Sequence, residues 1–291
     1  MDIEAIRDSM KVKEHQKVLL AFAWITGREL SFLKRFPEFL AADVTERTNR
    51  EKRGLFLIVG QDGNNKTFVA FHCYISNAKL DTFNWIYNMA IPQLASRDIT
   101  LGNEVFVTDG EDALFSPFLN ATKIEDGPWA NSYHYRCSYH IFYQPWRKTI
   151  SGKVKDAEGK KVVETIRIWI ITLLKQVRSY ADYVDSVSKL TSFIEVHKSS
   201  LSDYVYQCVH QIFFGSMHPN CTTWARFSRC QRMDFNHSTS SITEGENRTF
   251  KEHAGGKSSN LAKKSIDESA RVAVDHSESR LREIDRYVTC I

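Results

Sequence analysis

Hydrophobic and polar positions follow two rhythms along this chain. From Phe36 to about residue 140 short apolar runs alternate with turn residues; beyond residue 163 the spacing is helical. "FPEFLAADVT" reads as a short strand ending at Asp43. "LFLIVGQD" and "KTFVAFHCYI" read as two more, joined through the Gly- and Asn-rich turn "QDGNNK". "KLDTFNWIYNMAIPQL" carries an amphipathic helical pattern. In "EVFVTDGEDAL", which opens at Glu104, the run Val105-Phe106-Val107 stops at Thr108-Asp109-Gly110. That pattern predicts a strand feeding a helix over about 111–122. "NSYHYRCSYH" gives a fifth strand running into a helix. Residues 1–35, including "AFAWITGRELSFLKRF", predict helix, with Pro37 as the stop. The order β-β-β-α-β-α-β-α predicts an α/β fold, a mixed five-stranded sheet covered by helices.

The second rhythm is different. "SGKVKDAEGKKV", residues 151–162, reads as an exposed loop. Residues 163 to about 215 are helical almost throughout, "HPNCTTWARFSRCQRMDFNHSTSS" is irregular, "TEGENRTFKEHAG" begins a helix, and 259–289 is a charged amphipathic helix. The longest apolar run, "IWIITLL", sits between Arg167 and Lys175 and falls well short of the ~20 residues that span a bilayer. No membrane partner is expected.

Composition agrees with a globular chain: 42% of the 291 residues are hydrophobic and 25% charged. The six cysteines are scattered and no secretory signal is visible, so reduced thiols are expected rather than a disulfide framework. The net charge of +4 is unevenly spread. Between Arg136 and Arg178 ten Lys or Arg stand against three Asp or Glu, a local +7. A basic stripe interleaved with Trp146 and Trp169 suits a polyanion, and equally suits a solvated helix surface.

Three acids occupy similar places. Asp43 ends the first predicted strand, Asp109 ends the fourth, and Glu244 opens a late helix. Asp109 by itself also suits a helix N-cap. Carboxylates that converge repel one another unless a hard cation such as Mg²⁺ or Mn²⁺ joins them. Asp112 competes with Asp109, and Glu246 with Glu244. Glu244 is preferred because Asn247 and Lys251, three and seven residues on, share its helix face.

The ordered motifs "FLAADVTERTN", "LFLIVGQDGNNKTFVAF", "DTFNWIYNMAIPQL", "VFVTDGEDAL", "RCSYHI" and "TSSITEGENRTFK" together resemble the catalytic domain of Mutator-like element (MULE) transposases, from about Phe36 to Lys251. The resemblance implies an RNase H-like fold with an all-helical insertion before the last catalytic helix. It implies an N-terminal helical segment at 1–35, a core at 36–150, the insertion at 151–235, the last catalytic helix at 236–258 and a helical tail at 259–291. It maps Asp43, Asp109 and Glu244 onto a DDE triad that binds Mg²⁺ or Mn²⁺, as a pair of ions, and catalyses DNA cleavage and strand transfer. Cys137, His140, Asn247 and Lys251 would lie near that site. Double-stranded DNA is then the partner, homo-oligomers the working form and the nucleus the compartment. Arg147, Lys148, Lys153 and Lys155 are the candidate DNA contacts. The alternative is a domesticated, transposase-derived DNA-binding regulator without transposition activity. Cys137 and His140 have the spacing of a zinc half-site but lack an obvious second pair, and Cys208, His210, His218, Cys221 and Cys230 fit no standard zinc knuckle.

Overall fold

A computed structural model of the chain describes residues 19–94, 105–130, 132–230, 232, 241–254 and 261–288. Expectations that fall on residues 1–18, Glu104, 236–240, 255–260 or Cys290 lie outside the described residues. The strands are β1 (Ala21–Trp24), β2 (Phe39–Thr45), β3 (Gly54–Gln61), β4 (Thr67–Ile75), β5 (Val105–Thr108) and β6 (Tyr133–Arg136). They form one sheet in the order β1-β4-β3-β2-β5-β6. The helices are α1 (Gly27–Arg35), α2 (Leu80–Trp85), α3 (Ile91–Leu94), α4 (Asp112–Ala121), α5 (Gln144–Thr149), α6 (Ala157–Lys175), α7 (Tyr180–Val196), α8 (Asp203–His210), α9 (Arg226–Arg229), α10 (Ser241–His253) and α11 (Ile266–Val288). The chain is thus α/β, a mixed sheet flanked by helices. No helix among the described residues is long and apolar enough to cross a membrane.

Among the described residues the sheet has six strands where five were expected. The extra strand is β1, in a stretch expected to be helical. It pairs antiparallel with β4, Ala23 opposite Cys73. Helix begins only after Thr26, whose hydroxyl accepts the Glu29 amide while the Glu29 carboxylate accepts the Thr26 amide. That reciprocal cap, written in the sequence as "TGRE", is the start signal that apolar spacing alone obscures. A second difference is the 151–162 stretch. Only its first residues form a turn; α6 starts at Ala157, with the Asp156 carboxylate accepting the Gly159 amide at 2.6 Å. Gly159 reads as loop but serves close packing, because a Cβ there would stand 2.9 Å from the Ser200 carbonyl.

Two compact units can be distinguished. The first comprises Met1–Phe106, Glu111–Tyr133 and Ser241–Ile291; the second comprises Val107–Gly110 and His134–Ser240. In the first, β2, β3 and β4 form an antiparallel meander, with Asp43 opposite Leu57. The β3–β4 turn is held by Asp62, whose side chain accepts the Asn64 and Lys66 amides, and Asn65 takes the left-handed conformation that such turns need. The chain then crosses through α2 and α3 to place β5 beside β2, where the Val105 amide donates to the Glu38 carbonyl. The core is aromatic. Phe106 stacks on Phe118 with centroids 4.3 Å apart, and Tyr87 and Trp129 pack edge-on against both rings. The buried Trp129 indole donates to the Tyr87 carbonyl, so the cluster has no stranded indole donor.

The second unit is built around α6 and α7. Ile166, Ile170 and Leu173 of α6 and Leu190 and Ile194 of α7 are buried at the three- and four-residue spacing of a helix face. Arg229 is buried here as well, with its guanidinium donating to the carbonyls of Leu174 and Trp224. The Leu174 carbonyl lies at the C-terminal end of α6, where the helix dipole favours a cation.

Candidate active site

β2 is a central strand, and Phe39, Leu40, Ala41 and Ala42 are almost wholly buried, as its unbroken apolar run requires. It does not end at Asp43 as expected but continues to Thr45. Asp43 is half-buried, and its carboxylate accepts the Val44 amide at 2.9 Å.

α10 packs on β2 and β3. It brings Lys251 back to β2, where the ammonium donates to the Thr45 hydroxyl at 2.7 Å across 206 residues of sequence. Burial lowers the Lys251 pKa from its ordinary value, and Asp43 and Glu46 oppose that shift. The partly desolvated ammonium and the Asp43 carboxylate are therefore coupled, which is typical of functional sites. Asn247 is buried one turn before Lys251, and its side-chain carbonyl has no hydrogen-bond partner among the described residues. Glu244 is exposed in the first turn of α10. Glu246 has a different role. It is buried and accepts from His276 Nε2 at 2.6 Å, so of the two competing glutamates it is the one committed to the fold.

Asp109 lies in the second unit, directly after β5. The N-cap position of α4 is Glu111 rather than Asp109, and Asp112 is exposed in the first turn of that helix. Gly110 adopts a φ of +87°, and a Cβ there would stand 3.3 Å from the Arg136 side chain. The Thr108 hydroxyl accepts the Gly110 amide at 3.3 Å and lies 2.7 Å from His134 Nε2. Burial, aided by the charge of Arg136, pushes the His134 pKa down to about 3. His134 is thus neutral near pH 7, and its Nε2 can accept the Thr108 proton. Sequence reasoning passed over His134 because "YHYR" read only as a strand. The Cys137 amide donates to the Thr108 carbonyl at 2.7 Å, with its thiol fully buried, and His140 follows half-buried. Thr108, Gly110, His134 and Cys137 together define the backbone around Asp109.

The family model of the MULE transposase domain matches residues 39–144. Residues 39–144 are thus similar to the MULE transposase domain. The match spans Asp43, Asp109, Cys137 and His140, while Glu244, Asn247 and Lys251 lie beyond it. No curated protein matches the chain.

Among the described residues no group of three or more His, Cys, Asp or Glu is gathered as a metal-holding cluster. Asp43, Asp109 and Glu244 are carboxylates, hard-oxygen donors of the kind that suits Mg²⁺ or Mn²⁺. The cysteines and histidines at 208–230 engage other partners. His218 Nδ1 lies 2.9 Å from the Tyr183 hydroxyl, the Cys230 thiol donates to the Arg178 carbonyl at 3.6 Å, and His210 lies 3.8 Å from Glu195. Arg147 and Lys148 are exposed in the last turn of α5, and Lys153 and Lys155 are exposed in the segment between α5 and α6.

Proposed function

We propose that this chain is the catalytic core of a DDE-type transposase, with an RNase H-like fold, that cleaves DNA strands and transfers them to a target. One observation carries the reading. The late helix α10, bearing Glu244, returns to the strand bearing Asp43 and sets Lys251 on Thr45, two residues away. Nothing in the packing of a simple meander requires that return, whereas a site built from distant acids does. The strand order β4-β3-β2-β5-β6, with the first acid on the middle strand, is consistent with the RNase H-like arrangement.

In this reading Asp43, Asp109 and Glu244 are the acids that would hold one or two Mg²⁺ or Mn²⁺ ions. Such ions supply Lewis-acid charge to both the attacking and the leaving oxygen of an in-line displacement at phosphorus. Lys251 places a positive charge beside Asp43, where a phosphodiester can be held. Asn247 offers a side-chain carbonyl already stripped of water. Thr108 and His134 hold the turn that presents Asp109. Cleavage joins a water oxygen to phosphorus and breaks the P–O3′ bond, leaving a 5′-phosphate and a 3′-hydroxyl; strand transfer joins that 3′-oxygen to a phosphorus of the target and breaks that phosphorus's bond to its own O3′, leaving a 3′-hydroxyl on the target strand. No Ser or Tyr nucleophile is needed. Arg147, Lys148, Lys153 and Lys155 would meet duplex phosphates. Two element ends must be processed together, so a homo-oligomer acting in the nucleus is the form we propose.

The test is nicking of supercoiled plasmid by the full chain in Mn²⁺, with Asp109→Asn and excess chelator as controls. The amide is nearly isosteric with the carboxylate but lacks its charge, so nicking is expected to vanish while the melting temperature stays put. Cleavage that persists in chelator, or a covalent protein–DNA adduct, overturns the mechanism. Full activity of Asp109→Asn moves the second acid elsewhere, with Asp112 the next to test. DNA binding without any nicking favours a domesticated regulator instead.

A further inference from the structure

α10 is a poor hydrophobic helix. Its buried residues are Thr243, Glu246, Asn247 and Phe250, and Phe250 is the one large apolar side chain among them. Burying a single phenylalanine favours contact but does not choose a rotation about the helix axis. A buried carboxylate does choose, because an unpaired charge there is strongly unfavourable.

Glu246 finds its partners on α11. His276 Nε2 meets Oε1 at 2.6 Å, Arg280 Nε stands 3.7 Å from Oε2, and the His276 ring lies against Phe250 and His253. At 100° per residue Glu246 sits about 160° round α10 from Glu244. Anchoring the one therefore turns the other away from the core. Lys251, on the Glu244 side, reaches Thr45 from the same rotation.

α11 is itself held at several points. Ser269 donates to the Thr48 carbonyl and bonds the Tyr74 hydroxyl, Ser277 donates to the buried Glu29, which also pairs with His72, and Arg28 pairs with Asp285. A helix fastened in this way to α1 and β4 can act as a strut.

We infer that His276, backed by Arg280, is a positioning residue for the proposed active site: through the buried carboxylate of Glu246 it sets the rotation of α10 that presents Glu244 and Lys251. This rests on the function proposed above.

The experiment uses the full chain as wild type, Glu244→Gln, His276→Ala, and the exchange variant Glu246→His with His276→Glu. Three quantities are read: the Mn²⁺ binding isotherm without DNA, amide exchange across 241–253 in metal-free protein, and plasmid nicking as a function of Mn²⁺. Glu244→Gln is expected to abolish nicking. Loss of a residue that orients a metal ligand typically costs tenfold or more in metal affinity. His276→Ala should therefore raise the Mn²⁺ needed for half-maximal binding and half-maximal nicking by about tenfold, and speed exchange in α10. Its rate at saturating Mn²⁺ should stay within about twofold of wild type, because the ligands themselves are intact. The exchange variant should recover most of the lost affinity. If His276→Ala does not fold, His276→Gln, which keeps a donor toward Glu246, takes its place; it should bind Mn²⁺ as wild type does, and a tenfold loss there overturns the inference.

Unchanged Mn²⁺ dependence in His276→Ala, with Glu244→Gln inactive, overturns the inference and leaves the proposed function standing. A wild-type chain that binds Mn²⁺ but does not nick removes the proposed activity, and the inference is then decided by the isotherms. A chain that binds no Mn²⁺ overturns both.

Discussion

Acidification is expected to loosen the turn that carries Asp109, through His134. This imidazole is buried beside Thr108, and burial with the Arg136 charge holds its pKa at about 3 against an ordinary 6.5. The unfolded chain therefore takes up this proton first. Stability from His134 is fully present above pH 6.5, declines as the pH falls below it, and stops declining near pH 3, where the folded ring is protonated as well. At about pH 4.5, two units below the ordinary value, the loss from this one group is about 3 kcal/mol. The ring is buried, so solvent screening does little to reduce it. A protonated ring also cannot accept from Thr108, whose hydroxyl holds the Gly110 amide. The assay is urea unfolding of wild type and His134→Gln at neutral pH and near pH 4.5. Gln places an acceptor near the position of Nε2 but does not titrate. Wild type should lose about 2–3 kcal/mol more than the variant between the two conditions. The His134 ring resonances should show no titration in the folded chain above about pH 4. Equal losses in the two proteins, or a ring that titrates near its ordinary value, refute the reasoning.

Two further outcomes follow from the same region and its surroundings. Gly110→Ala forces a left-handed backbone on a residue with a Cβ and presses it toward Arg136, so it should cost about 1 kcal/mol or more in unfolding free energy and depress nicking; a neutral effect on both contradicts the φ of +87°. Charge reversal at Arg147, Lys148, Lys153 and Lys155 should weaken duplex binding across unrelated sequences and flatten the log–log salt dependence by about 0.9 for each phosphate no longer neutralised, read by anisotropy titration; unchanged binding puts the DNA surface elsewhere.

Local chemistry made much of this protein legible from its residues. The apolar run of β2, the Gly- and Asn-rich turn between β3 and β4 and the helix after Asp109 each carry their own signal, because turn geometry and strand burial depend on neighbouring residues. The candidate acids were nominated in the same way, with Asp43 and Asp109 inside the matched MULE segment. β1 was missed because its four residues become a strand only by pairing with β4, and the reciprocal cap at Thr26 and Glu29 was hidden inside an apolar pattern. The partnership of Glu246 with His276 spans 30 residues, and that of Lys251 with Thr45 spans 206. Whether a carboxylate serves the fold or faces solvent depends on which distant cation or imidazole meets it once water has been removed, and its own sequence neighbourhood holds no record of that. The burial that drives His134 toward neutrality likewise arises only when the strands assemble around it.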